Sequence, residues 1–304
     1  MASAETIRFE DMRKGTQVNA AQCAVHQQTL YVTVFGTGYC IRYYSSTSGG
    51  HGRWPVVYLP GDRPGIVKSS RRYDDPKYRR DDDTRSMTER ASKVSEAAET
   101  TGIYLARIGV GGSSGHHSQR RTATELNAYS LALDALKERH KFEGFHLVGN
   151  SGGSSLIAAL LAFRSDIRCA VLGSGRLAGK RNRPRGSNPS EQPFHPQDGI
   201  AAIAKKRGVR IIVITEPNDT VVPREDQDPF VQKLRAAGGK VQQYYVRLTD
   251  KQRHGVQRYS IPAVGGCAQG HSDQKIEASL KKIEARMLAR AERRKRARNG
   301  RDDD

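Results

Sequence analysis

The sequence predicts an α/β protein: a mostly parallel central sheet with helices on both faces, an antiparallel hairpin at the N-terminal side and no large cap domain. Two observations carry this. Short strongly apolar blocks alternate with segments of helical spacing along most of the chain, and repeated βα units of that length close a parallel sheet covered on both faces. One junction in that alternation, Gly149-Asn150-Ser151-Gly152-Gly153, has the composition of a sharp strand-to-helix turn. The 304 residues suffice for one large domain with a substantial core. They divide into an N-terminal extension (1–29), a folded domain (30–290) and a basic then acidic flexible tail (291–304).

In order along the chain, Thr29–Phe35 alternates as a strand and Gly36–Gly38 turns it back into a hairpin. Val56–Leu59 is the first buried strand, stopped by Pro60-Gly61. A charged stretch follows and ends in Asp81, Asp82 and Asp83, which lack a spaced fourth ligand and are expected to be a solvated loop. Thr88–Thr100 has helical character, and Ile103–Ile108 is a strand running into the glycine-rich Gly109–Gly115. The third glycine of that loop is out of register for a dinucleotide fingerprint, and no acidic residue ends a following strand, so no nucleotide cofactor is expected. Thr124–His140 is a helix on the spacing of Leu126, Leu131, Leu133 and Leu136. Phe145–Val148 is the strand before the turn, and Leu156–Leu161 the helix after it. Strands Cys169–Leu172, Val209–Thr215 and Val241–Val246 alternate with helices around Gly199–Lys206 and Pro229–Ala237. Ile276, Leu280, Ile283 and Met287 then make the docking stripe of a C-terminal helix, beyond which the basic tail frays.

The chain carries 51 Lys and Arg against 32 Asp and Glu, a net charge of +19. Residues 281–301 hold ten basic and two acidic residues, so most of the excess is spread over the remaining surface. Such a diffuse field attracts polyanions weakly and without specificity, and nothing in the sequence has the aromatic-interleaved strand or recognition helix of sequence-specific nucleic-acid binding. No window approaches the apolar length of a membrane span. The N-terminus as written has no signal core, so a cytoplasmic location is expected, or a periplasmic or secreted one if the N-terminus has been trimmed. The cysteines Cys23, Cys40, Cys169 and Cys267 have no zinc spacing, and no metal is expected. Cys23 and Cys40 flank the hairpin strand, where a disulfide is possible in an oxidising compartment.

The turn at Ser151 carries the chemistry. In G-x-S-x-G the serine is held in a strained conformation at a helix N-terminus, where the dipole favours developing negative charge, and Gly149 and Gly153 supply the room this needs. A serine nucleophile requires a base and an acid to orient that base, in the chain order serine, acid, histidine. Asp219, just past the apolar strand ending at Thr215, is the expected acid, with Glu216 as the substitute. His254, a few residues after the last strand and beside Gly255, is favoured as base over His271, which directly precedes the final helix. His146 lies inside a strand, and His116 and His117 could at most line a pocket. An oxyanion hole is expected from the backbone N–H of Gly152 and from the Gly61-Asp62 turn.

With Ser151, Asp219 and His254 in this order, the chain resembles the α/β-hydrolase superfamily. It is similar to bacterial esterases and prolyl-oligopeptidase-like hydrolases, with their Leu-Val-Gly-x-Ser-Gly-Gly elbow, Asn-Asp-x-x-Val-Pro acid turn and His-Gly base loop. The resemblance covers roughly residues 30–290 and implies a serine hydrolase that cleaves a carboxylic ester through an acyl-enzyme. A peptidase or amidase of the same mechanism, and a degenerate binding protein, are its alternatives. Only about thirty residues, 175–203, separate the strand after the elbow from the Asp219 strand, so the site is expected to be open and to take a small-molecule or short-chain acyl substrate.

Overall fold

A computed structural model describes residues 7–63, 84–179, 188–248 and 250–299. The aspartates Asp81–Asp83 lie outside the described residues. Two short helices come first, α1 (Phe9–Lys14) and α2 (Ala20–Ala24), the second opened by Asn19 and Gln22 in a reciprocal capping box. The hairpin follows as β1 (Thr29–Val34) and β2 (Thr37–Ser46). Then come β3 (Val56–Leu59), α3 (Thr84–Ala98), β4 (Gly102–Leu105), α4 (Ala123–His140), β5 (Phe145–Asn150) and α5 (Gly152–Leu160). The chain continues through β6 (Ile167–Gly173), α6 (Ile200–Ala204), β7 (Arg210–Thr215), α7 (Asp228–Ala236), β8 (Val241–Tyr245), α8 (Gln257–Ala268) and α9 (Asp273–Asn299).

The eight strands form one sheet in the order β1-β2-β4-β3-β5-β6-β7-β8. The β1–β2 and β2–β4 pairs are antiparallel, and every pair from β4 to β8 is parallel. The parallel strands are buried on both faces, which is why they appear in the sequence as unbroken apolar runs rather than alternations. Period-two geometry still divides their side chains between two cores. Leu147, Ile211 and Val213 point to the face covered by α4, α5 and α7, while Val148, Ile212 and Ile214 point to the face covered by α3, α8 and α9.

Two sequence expectations are corrected. The strand after α3 ends at Leu105, because Ala106 to Ile108 already turn into the glycine loop, where Gly109, Gly111, Gly112 and Gly115 all have positive φ. The buried stripe of α4 runs through Ala128, Tyr129, Ala132, Leu133 and Leu136, whereas Leu131 is an exposed residue on the opposite side. Helix α9 runs to Asn299, and Met287 is the last of its side chains buried among those described.

Both cysteine pairs are disulfides. Cys23–Cys40 ties α2 to β2, closing the hairpin as the sequence allowed. Cys169–Cys267, which no sequence spacing announced, joins β6 to α8 across 98 residues. Among the described residues no helix is long and apolar enough to cross a membrane.

Candidate active site

Ser151 stands between β5 and α5 with φ 54° and ψ −120°, a conformation that costs a non-glycine residue about 1–3 kcal/mol. The surrounding contacts over-determine it. A Cβ on Gly149 would lie 2.7 Å from the Gly153 carbonyl carbon and the Ser154 nitrogen, and one on Gly153 would lie 2.1 Å from the Leu59 oxygen. Only glycine at both positions lets α5 pack this closely over β5 and the end of β3. The Ser151 N–H donates to the Gly173 carbonyl at 2.8 Å, tying the turn to the end of β6. Ser151 thus occupies the N-terminal end of α5, at the C-terminal edge of the sheet.

Asp219 and His254 meet at the same edge. Asp219 follows β7, its side chain is fully buried, and its Oδ1 accepts from the N–H groups of Val221 at 2.8 Å and Val222 at 3.0 Å. Its Oδ2 lies 2.7 Å from His254 Nδ1. Burial raises the Asp219 pKa, but the hydrogen bonds from His254, Val222 and Val221 outweigh it and hold the carboxyl below its ordinary range. An ionised carboxylate only accepts, so His254 carries its proton on Nδ1 and leaves Nε2 as the basic nitrogen. The loops that carry Asp219 and His254 are stitched together by the Thr220 N–H and hydroxyl, both donating to the Gln252 carbonyl at 3.1 Å. Backbone strain in the base loop falls on Arg253, with φ 51°, and not on Gly255, so the tight turn the sequence assigns to that glycine is made one position before the histidine.

His271 sits elsewhere. Its carbonyl accepts from Arg210 Nη1 and its Nε2 lies 2.8 Å from Lys275 Nζ. Arg210 begins β7 and Asp219 follows its end, so His271 is at the opposite edge of the sheet from the acid. Helix α8, which includes Pro262, carries the chain there. Glu216 is buried, its pKa raised by that burial, and its Oε2 accepts from the Asn218 N–H at 2.7 Å.

The turn after β3 reaches Ser151. A Cβ on Gly61 would lie 3.2 Å from Ser151 Cβ, and one on Gly152 would lie 1.9 Å from Asp62 Oδ1. The Asp62 carboxylate therefore lies against the first residue of α5, and sequence reasoning missed what holds it there. Arg107, fully buried, donates from Nη1 to Asp62 at 2.5 Å and from Nε and Nη2 to Glu125 at 2.8 and 2.7 Å. Arg121 Nη2 lies 2.7 Å from the other Asp62 oxygen, and its backbone N–H donates to Glu125 at 2.6 Å. Burial raises the pKa of Asp62, but the charges of Arg107 and Arg121 bring it well below the usual carboxylate range.

His117 completes this frame. It is buried, its Nδ1 donates to the Ile108 carbonyl and its Nε2 accepts from the Arg63 N–H, each at 2.9 Å. Burial and the nearby Arg107 charge push its pKa down to about 3, so it stays neutral and can accept from the loop. It braces the turn rather than lining a pocket. The one available signal was an arginine within an apolar run, two residues before a glycine loop. Among the described residues no three His, Cys, Asp or Glu side chains cluster as a metal site.

The strand order, the tight turn at Ser151 between β5 and α5, and the Asp219–His254 pair at the same sheet edge together define the architecture. The fold is that of the α/β-hydrolases. The chain is similar in structure to the esterase Pf2001 of Pyrococcus furiosus, with a TM-score of 0.54 and 15% identity over 84% of this chain and 94% of that one. It is also similar to Est1E from Butyrivibrio proteoclasticus, with a TM-score of 0.50 and 10% identity over 80% of this chain and 98% of that one. At such identities the likeness is one of fold. No protein-family model matches the sequence, and no curated protein matches it.

Proposed function

We propose that the protein is a serine hydrolase that cleaves a carboxylic ester through an acyl-enzyme. The observation that carries this reading is the strained Ser151 at a helix N-terminus, on the same sheet edge as a buried Asp219 bonded to His254. In this reading Ser151 Oγ attacks the acyl carbonyl as His254 Nε2 takes its proton. Asp219 holds the ring and stabilises the imidazolium, which then protonates the leaving alkoxide. Water repeats the sequence on the acyl-enzyme.

The developing oxyanion is met by the Gly152 N–H and by the turn after β3. Arg63 N–H is already committed to His117, so the contribution of that turn falls to Gly61 and Asp62. A carboxylate beside an oxyanion would oppose it, and the two guanidinia on Asp62 cancel that charge. The fold and the esterases among its structural neighbours support ester hydrolysis, and the two disulfides support an oxidising working environment. A panel of 4-nitrophenyl acyl esters and aminoacyl anilides, assayed with the parent and Ser151→Ala, tests the proposal. Ester turnover by the parent that disappears in the variant is expected. Anilide-only turnover would move the reading to a peptidase, and undiminished activity in the variant would end it.

A further inference from the structure

The edge of the sheet remote from Ser151 carries an open groove of about 610 Å³ along the first residues of β6, β7 and β8. Asp219 follows the far end of β7, so the six residues of that strand, at about 3.3 Å each, set the groove about 20 Å from the triad edge. Five cationic side chains line it, Arg168, Arg207, Arg210, Arg235 and Lys240, against the single carboxylate of Asp273. That carboxylate is taken by Arg210 Nη2, while Arg210 Nη1 donates to the His271 carbonyl. Arg235 donates from Nε and Nη2 to the Val241 carbonyl at 3.2 Å, a neutral partner that leaves its charge uncompensated.

Among the described residues, Arg168, Arg207, Arg235 and Lys240 are exposed and pair with no carboxylate. Elsewhere on the surface Arg53, Arg85, Arg176 and Arg224 each face one. Arg168 is the one exposed position of β6, whose other six residues are buried. Its guanidinium lies 3.5 Å over the Trp54 ring, which is itself held by Trp54 Nε1 donating to Glu143 at 2.7 Å. Stacking fixes the plane of a guanidinium and leaves its edge donors for oxygens. The helix dipole accounts for Arg235, in the last turn of α7, but not for Arg168 within β6 or Lys240 beside the start of β8.

We infer that this groove binds a polysaccharide bearing carboxylate or sulfate groups and holds it on the side of the protein away from Ser151. The inference concerns binding alone and is independent of the hydrolase reading. A single-stranded nucleic acid needs aromatic faces for its bases, whereas no aromatic residue lines the groove and Trp54 beside it gives a face to Arg168. A bilayer is flat and takes up apolar side chains, whereas these cations line a groove whose Ile211 and Val241 are buried. The two disulfides place the encounter in an oxidising environment, where secreted and cell-surface polysaccharides are common polyanions.

Titration calorimetry of the native protein over a range of salt tests this with heparin, uncharged dextran, a single-stranded oligonucleotide matched to heparin in charge, and phosphatidylglycerol vesicles. Heparin should bind and dextran should not. Arg207→Gln/Lys240→Gln should keep the parent melting temperature, lose about tenfold in heparin affinity and lower the slope of log K against log salt by about two. Lys93→Gln/Lys282→Gln, an equal loss of charge at exposed positions of α3 and α9, should change the affinity less than about twofold. Heparin should also protect Lys240 from acetylation and leave Lys93 reactive, a measurement that needs no variant. Equal losses in the two double variants would reduce the attraction to the diffuse field of a chain of net charge +19 and overturn the inference. Tighter binding of the oligonucleotide or of the vesicles, or a Lys240 acetylated alike with and without heparin, would overturn it as well.

Discussion

Replacing Arg107 by methionine removes the centre of the buried charge cluster without changing its volume greatly. The wild-type guanidinium has no solvent exposure and makes three charge-assisted hydrogen bonds, two to Glu125 and one to Asp62. In Arg107→Met, the Glu125 carboxylate stays fully buried with, among the described residues, only the Arg121 backbone N–H donating to it, and Asp62 keeps only the more exposed Arg120 and Arg121. Breaking one side of a buried ion pair costs about 3–5 kcal/mol. At roughly 2–4 °C per kcal/mol for a domain of this class, the melting temperature should fall by about 6–20 °C. The same substitution frees the turn after β3 and leaves a carboxylate facing the oxyanion, so kcat on a neutral ester should drop about 10²–10³-fold, as when an oxyanion donor is lost. Circular-dichroism melts and steady-state kinetics measure both. Arg107→Met/Glu125→Gln should regain much of the stability, since an uncharged partner no longer has to be compensated, without regaining activity. A single variant that melts within about 2 °C of the parent and keeps kcat within a few-fold would refute the reasoning.

Other outcomes follow from the same geometry. His254→Ala should lose several orders of magnitude in turnover, as triad bases do, whereas His271→Ala, at the far edge of the sheet, should lose less than about tenfold; the reverse pattern would assign the base to His271. Reducing Cys169–Cys267, or replacing Cys267 by serine, opens a loop of 98 residues and should cost about 4–5 kcal/mol on the chain-entropy model, seen as a lower melting temperature; unchanged melting would mean the bridge constrains nothing. His117 and His146 are held neutral in the fold, at about 3 and about 4, against an ordinary value of 6.5. The unfolded chain binds these protons first, so their contribution to stability is complete above pH 6.5 and is lost as pH falls toward the folded values. The drop between pH 6.5 and 5 should reach about 2 kcal/mol for His117 alone, from about 1.4 kcal/mol per pH unit. The depressed carboxylates act only below that window, so a flat melting temperature between pH 7 and 5 would contradict the assignment.

Most of the fold was legible because doubly covered parallel strands must be apolar throughout, and Val56–Leu59, Phe145–Asn150 and Arg210–Thr215 stand out against a polar chain. The Ser151 turn was legible for a steric reason: two glycines are needed where α5 crosses β5 and β3. Asp219 and His254 could be named because each follows the C-terminal end of a strand, where the topology brings loops together. What escaped depends on contacts distant in sequence or contrary to type. Arg107 and Glu125 are charged residues with no exposure, stable only because each satisfies the other, and composition alone makes both look like surface. Cys169 and Cys267 meet only after β6 and α8 have packed. In α4 Ala128, Tyr129 and Ala132 lie against the sheet with Leu133 and Leu136, and Leu131, counted into the leucine series, falls on the exposed side.

The central claim is that Ser151 is a nucleophile activated by His254. The most direct measurement is covalent labelling of the native protein with a fluorophosphonate, followed by peptide mass mapping. A single stoichiometric adduct on the peptide bearing Ser151, abolished in Ser151→Ala and slowed by orders of magnitude in His254→Ala, is the predicted result. An unlabelled protein, or an adduct on a different serine that persists in Ser151→Ala, would contradict it.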